Sequence, residues 1–234
     1  AVISPNNPTG RVIDLNRFLD FARSHPDVLC IFDGAYAEFA DEDPIAVLVE
    51  YANIVVVRTM SKAWGLPGLR VGYAVGAPNV VNLMRATSGP YTVANPSLCL
   101  AGACLESGSD RKSDFVATIR AQRAILKSSL EACGFDVEPS QANFLLAHAP
   151  GGDADYWEAG LASLGIGVRR FSGPLRGSIR MSCPGTESGL NRVCEALNTI
   201  ARPEALIFDM DGVMVDVSES YRAAIIETAA HFGV

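Results

Sequence analysis

An α/β fold follows from three features of the sequence. Strand and helix signals alternate from residue 1 to residue 88. The strand segments are short, apolar and rich in β-branched residues, and Gly/Pro-rich breaks separate them. Residues 1–4, Ala-Val-Ile-Ser, read as a strand running into a Pro/Asn/Gly turn. Residues 14–25 carry Leu15, Phe18, Leu19, Phe21 and Ala22 on one helical stripe, with Asp14 placed as N-cap. A short apolar strand over 28–32 ends at Asp33. The run 54–58, Ile-Val-Val-Val-Arg, is too apolar to be half-exposed, which predicts a central strand of a parallel sheet. A further strand is predicted over 71–75 and a helix over 79–87. The stretch from Gly89 to Pro96 then breaks the pattern, as a domain-crossing linker does.

Downstream the organisation changes to α+β. A long helical pattern over 97–132 is interrupted near Gly108 and stopped by Gly134, a C′ glycine. Strands are predicted over 143–147, 167–170 and 178–182. Helices are predicted over 154–164 and 186–200, the latter capped by Thr186 with Glu187 in its first turn. After Arg202-Pro203 a new unit begins, with a strand over 205–208, an Asp-rich loop and a helix over 218–232. The expected domains are 1–92, 93–202 and 203–234. The chain opens inside a strand without an initiator Met and stops at the end of a helical pattern, so it reads as an internal piece of a longer polypeptide.

Composition narrows the function classes. The chain has 234 residues, of which 49% are apolar, enough for a sizeable core. Nineteen Lys and Arg against 26 Asp and Glu give a net charge of −7. That balance disfavours a general nucleic-acid or anionic-membrane surface, though a few arginines in a pocket still serve a small anion. There is no apolar run long enough to span a membrane, and the first residues lack the make-up of a targeting segment. The six cysteines (Cys30, Cys99, Cys104, Cys133, Cys183 and Cys194) form no CxxC pair, so they read as buried reduced thiols in a cytoplasmic protein. His25, His148 and His231 show no ligand spacing.

Four motifs follow in order: Ser4-Pro5-Asn6-Asn7-Pro8-Thr9-Gly10, then Asp33-Gly34-Ala35-Tyr36, then Thr59-Met60-Ser61-Lys62-Ala63-Trp64-Gly65-Leu66-Pro67-Gly68, then Arg70. Each alone has a plain structural reading: a turn, a cap, an exposed lysine. Together they resemble the fold-type I aminotransferases, over roughly residues 1–201. The resemblance implies a three-layer pyridoxal-phosphate (PLP) transferase large domain, here partial and built on a mostly parallel sheet, followed by a smaller α+β domain. It makes Lys62 the Schiff-base lysine, at the carboxyl edge of the sheet where open α/β sheets place their ligands. Asp33 becomes the carboxylate that keeps the pyridine nitrogen protonated. Asn7 and Tyr36 become partners of the ring hydroxyl. Arg70, with Thr59 and Ser61, becomes the grip on the cofactor phosphate. One departure is visible: many members of the family carry an acidic residue where Gly34 stands.

Two arginines complete the expected site. Arg180, in Ser178-Ile179-Arg180-Met181-Ser182, lies among apolar residues where a charge must be paired. An internal salt bridge is one reading. The resemblance assigns it the substrate α-carboxylate. Within the family the pattern is most similar to the histidinol-phosphate aminotransferases, and Arg169 then matches their arginine for the substrate phosphate; a solvated basic pair with Arg170 is the alternative. The resemblance also implies a homodimer whose sites borrow residues from the partner, and a chain that on its own is inactive. Other amino-acid aminotransferases, aromatic ones included, β-lyases and a non-catalytic PLP-fold regulator remain alternatives.

Finally, Leu206-Ile207-Phe208-Asp209-Met210-Asp211-Gly212-Val213 resembles the first motif of haloacid-dehalogenase-type phosphatases. The resemblance implies the start of a Rossmann-like phosphatase domain, with Asp209 as nucleophile and Mg²⁺ ligand and Asp211 as acid/base and second carboxylate of that metal site. An acidic turn after a strand is the alternative. The later motifs of that family are absent from this chain.

Overall fold

A computed structural model describes residues 1–202, 226–227 and 229–231. The strand 205–208, Asp209, Asp211 and most of the helix 218–232 expected from the sequence lie outside the described residues. By Cα proximity the chain divides into two units, Ala1–Ile200 and Ala201–Val234. The account below concerns the first.

Four strands make the first sheet: β1 (Val2–Ile3), β2 (Cys30–Asp33), β3 (Ile54–Thr59) and β4 (Gly72–Gly76), in that order. β1, β2 and β3 run parallel, with Phe32 opposite Val56 and Asp33 opposite Val57. β3 is interior, as its apolar run predicts, but β4 pairs with it antiparallel, so the sheet is mixed. The connection explains this. Residues 60–71 contain only a single 3-10 turn, Pro67–Leu69, and no crossover helix to return the chain for a parallel strand.

Helix α1 (Leu15–Ser24) follows its predicted stripe. Asp14 accepts the Arg17 amide at 3.2 Å as N-cap, and Phe18, Leu19 and Ala22 are buried against Cys30, Phe32, Ile54 and Val56 on one face of the sheet. Each large side chain removed from water there contributes about 1.5–3 kcal/mol. Asp33, Val57 and Thr59 alternate onto the other face, away from α1. A short helix α2 (Ile45–Leu48), too brief to leave a periodic signal, buries Leu48 in the same cluster.

The helices α3 (Pro78–Thr87), α4 (Asn95–Ser107) and α5 (Ser109–Ala132) follow. The interruption near Gly108 is a true break between α4 and α5. Gly134 closes α5 at φ 86°, with the Phe135 amide returning to the Leu130 carbonyl at 3.1 Å. Four antiparallel strands form the second sheet: β5 (Asp136–Val137), β6 (Phe144–His148), β7 (Arg169–Arg170) and β8 (Ser178–Ser182), in the order β5-β6-β8-β7. β5 is too short to read from sequence, and β7 is half the predicted length. Helices α6 (Ala154–Ser163) and α7 (Glu187–Ala201) complete the unit, with Thr186 Oγ1 accepting the Gly189 amide at 3.2 Å as the expected cap. Of the six cysteines only Cys30 and Cys183 are buried, and Cys99 is exposed, so the expectation of buried thiols holds for two. Burial pushes the Cys183 thiol up to about 11.

The loop after β1 meets the second half of the chain at Gly10. Its φ is 75°, and a Cβ there would stand 2.5 Å from Ser140 Cβ. Only glycine satisfies both demands. Its carbonyl accepts the Gln141 amide at 2.8 Å, so the Asn-Pro-Thr-Gly turn is held against the segment that leads into β6.

On the core itself one outcome is expected. Leu126 of α5 is fully buried. Leu126→Ala removes that packing and leaves a cavity, so unfolding free energy falls by about 2–5 kcal/mol, measurable by urea denaturation.

Candidate active site

The C-terminal ends of β2 and β3 bring the sequence motifs together. Asp33 ends β2, half-buried, and its Oδ1 accepts the Ala35 amide at 3.0 Å. β3 ends at Thr59 on the same face. Thr59 Oγ1 accepts the Ser61 amide at 3.1 Å and lies 3.0 Å from Ser61 Oγ, so the two hydroxyls converge at the start of the lysine loop. Lys62 is half-buried, with Nζ 5.3 Å from the centre of the Tyr36 ring. Arg70 is exposed and sits in the left-handed region at φ 55°, with Nη1 donating to the Pro67 carbonyl at 3.2 Å. That bond uses part of the guanidinium and leaves donors for an anion.

A second group links the two sheets. The Tyr36 ring meets Phe144 edge-on, 5.1 Å between centres and 89° between planes. The other contact of Phe144 is the Arg180 guanidinium, 4.9 Å from its ring centre. Arg180 Nη1 donates to Asn7 Oδ1 at 2.5 Å. Lys62, Tyr36, Phe144, Arg180 and Asn7 thus form a continuous chain of contacts from the first sheet to the second. The Asn7 amide is oriented by this bond: its oxygen faces the guanidinium, so its NH₂ is turned elsewhere as a donor.

Arg180 makes no ion pair among the described residues, and its buried Nε has no hydrogen-bond partner. The internal salt bridge is therefore not its role within the described part. Arg169 stands directly opposite Arg180 in the β7–β8 pairing, on the same face and exposed. Like charges directly opposite on adjacent strands destabilise a sheet unless an anion lies between them. Arg170 points to the other face, ion-paired with Asp155; the two arginines are not one solvated pair.

Two features escape sequence reading. Phe144 sits at the junction of the contacts, yet one phenylalanine on a core strand gives no signal of that. Arg58 is buried on the face of the sheet opposite Asp33, and its only trace in the sequence is a charge that directly follows a Val-Val-Val run. Asp209 and Asp211 lie outside the described residues, and no metal-binding cluster is present among the residues described.

The mixed first sheet with its flanking helices, followed by an antiparallel second sheet, is the α/β fold of the PLP-dependent transferases, as its structural neighbours show. The chain belongs to the class I and II aminotransferase family, which it matches over residues 1–197. It is 34% identical over 208 residues to histidinol-phosphate aminotransferase 2 of Gluconobacter oxydans, an alignment that covers 87% of this chain and 58% of that protein. It is 40% identical over 153 residues to an aromatic amino acid aminotransferase of Mycobacteroides abscessus, covering 62% of this chain and 42% of the relative. Among solved structures it superposes on histidinol-phosphate aminotransferase from Sinorhizobium meliloti in complex with pyridoxal-5'-phosphate. The TM-score is 0.74 and the identity 28%, over 87% of this chain and 57% of that one. The alignments thus span between 42% and 58% of the length of these relatives.

Proposed function

We propose that this chain supplies the cofactor lysine and the substrate arginines of a PLP-dependent aminotransferase that moves an amino group from an amino compound to a 2-oxo acid. The observation that carries the reading is the arginine pair on β7 and β8. Arg180 is held by Asn7 and Phe144, with no carboxylate partner among the described residues, and Arg169 faces it across the ladder. Two cations facing one another on adjacent strands suit an anionic ligand.

The residues present fit PLP. Asp33 offers a carboxylate to a ring nitrogen, the amide-oriented NH₂ of Asn7 and the Tyr36 hydroxyl offer donors to a ring oxygen, and Thr59, Ser61 and Arg70 offer donors to a phosphate. Bound there, the cofactor supplies an electron sink for the bond broken at the substrate carbon. In this reading Lys62 bonds the cofactor covalently and moves the proton with its Nζ, and Asp33 holds the ring-nitrogen proton. Arg180 grips the substrate carboxylate, and Arg169 a phosphate.

Histidinol phosphate as the amino donor is supported by relatives such as that of Gluconobacter oxydans. The 40% identity to an aromatic amino acid aminotransferase supports a second donor class. Single-turnover spectra of the full polypeptide carrying this sequence, mixed with histidinol phosphate or with phenylalanine, separate the two. Faster conversion of the phosphorylated donor is expected, and the reverse order overturns the assignment of Arg169.

A homodimer is part of the same reading, supported by the exposed Leu83, Tyr91, Leu98, Leu100 and Leu105 around α3 and α4. The net charge of −7 supports small-molecule rather than nucleic-acid partners, and a cytoplasmic location goes with biosynthetic transamination. No helix among the described residues is long and apolar enough to cross a membrane. The phosphatase-like module, with Asp209 and Asp211 on Mg²⁺, rests on its sequence motif alone.

A further inference from the structure

Arg58 has no role in the site as described so far. It lies inside the apolar β3 run with its side chain 1% exposed, and it points to the face of the sheet opposite Asp33. Its guanidinium is ion-paired with Asp43, lies 3.6 Å from Glu38 Oε2, and donates to the Gly34 carbonyl at 3.2 Å. Its Nε has no partner among the described residues. Burying such a charge is costly before pairing, and a hydrophobic side chain of similar volume often serves stability as well. Burial also pushes the Glu38 carboxyl upward, against its own backbone hydrogen bond and Arg58. The group is expensive, and packing alone does not explain it.

Its contact with Gly34 does. The Gly34 amide donates to the Val57 carbonyl at 2.9 Å, and the Gly34 carbonyl accepts from the Ala37 amide at 3.0 Å as well as from Arg58. The Gly34 C=O and the Ala35 N–H belong to one planar trans peptide and point in opposite directions. Fixing the carbonyl from behind the sheet therefore fixes where the Ala35 N–H points. It points at Asp33 Oδ1, 3.0 Å away. Gly34 also makes the room: a Cβ there would stand 3.1 Å from both Cζ and Nε of Arg58. Gly34 thus leaves space for a guanidinium packed over its backbone.

We infer that Arg58 is a positioning residue that aims the Asp33 carboxylate through the Gly34–Ala35 peptide. The inference rests on the reading of Asp33 as partner of the ring nitrogen. Its test therefore includes a measurement that needs no cofactor. Hydrogen exchange at the Ala35 amide, followed in the PLP-free chain, is expected to quicken about tenfold or more in Arg58→Lys, whose one nitrogen lacks the planar fork that reaches Asp43 and the Gly34 carbonyl through separate Nη atoms. Amides of α7, remote from this loop, keep their rates. In the full polypeptide loaded with PLP, the downfield proton resonance of the ring N–H is expected to shift in the same variant. Arg58→Met with Glu38→Gln removes both charges together, and circular dichroism reports whether it folds. Unchanged Ala35 exchange in a folded variant overturns the inference. So does failure of both variants to fold, which makes Arg58 a residue of the core alone. If Ala35 exchange quickens but the wild-type protein shows no ring N–H resonance, the positioning of Asp33 stands and the cofactor reading falls.

Discussion

Replacing Lys62 with alanine is expected to abolish transamination in the full polypeptide that carries this chain. Lys62 follows the buried end of β3, and its Nζ is directed over the Tyr36 ring, 5.3 Å from the centre. Tyr36 is in turn packed edge-on against Phe144. An amine held by such packing is set against a cofactor with little freedom to lose. A positioned acid–base group alone contributes about 10²- to 10⁴-fold to a proton transfer, and loss of the covalent anchor adds to that. The other lysines of this chain are differently engaged: Lys112 lies over the Trp64 ring, 5.2 Å from its centre, and Lys127 pairs with Glu131 at 3.6 Å along an exposed turn of α5. Neither replaces Lys62. Borohydride reduction of the PLP-loaded protein followed by mass spectrometry of its peptides is the decisive measurement. The cofactor mass is expected on the peptide containing Lys62. An adduct on Lys112 or Lys127 instead would remove the assignment.

The parts of this molecule legible in the sequence are those where one residue's requirement is local. Asp14 caps α1 because a short side-chain oxygen can reach an amide three residues on, and nothing distant decides it. Gly134 stops α5 because the left-handed turn there excludes a Cβ. The lysine, aspartate and tyrosine motifs are legible because Asp33 ends β2 and Tyr36 and Lys62 follow within three residues of a strand end, so their neighbours are fixed by the chain itself. What the sequence concealed is decided across the fold. The antiparallel direction of β4 depends on how residues 60–71 spend their length, which no periodicity reports. The bond from Arg180 to Asn7 joins positions at opposite ends of the unit. Arg58 looked like the polar end of a strand, and only the approach of Gly34, Glu38 and Asp43 from other segments turned it into a buried group. Phe144 is one more apolar residue of β6 until the edge of Tyr36 and the guanidinium of Arg180 are seen on its two sides.

The arginine pair should respond to truncation in two distinguishable ways. Arg180 is half-buried, stacked on Phe144 and bonded to Asn7, so its position is set before any ligand arrives. Arg180→Ala is expected to weaken every amino-acid substrate by about 2–5 kcal/mol, the range for truncating one partner of a buried, hydrogen-bonded charge pair. That corresponds to about 30- to 5,000-fold in kcat/KM. Arg180→Lys should recover little, because a point charge cannot reproduce two parallel N–H bonds to a carboxylate. Arg169 is exposed on the β7–β8 ladder, so its removal costs the protein little stability. Its effect on catalysis should be selective: Arg169→Ala should raise KM for a phosphorylated donor while leaving a non-phosphorylated one near its wild-type value. The facing geometry adds a further consequence. Two guanidinium groups directly opposite on neighbouring strands repel in the free protein, and a dianionic ligand relieves that repulsion for both. Removing Arg169 therefore also relaxes the strain on Arg180, so the two losses should not add: the double variant is expected to lose less than the sum of the single losses for the phosphorylated donor. A four-point cycle of kcat/KM values measures this. Strict additivity would mean that the two arginines serve separate ligands, and an equal loss with both kinds of donor in Arg169→Ala would take the phosphate away from Arg169.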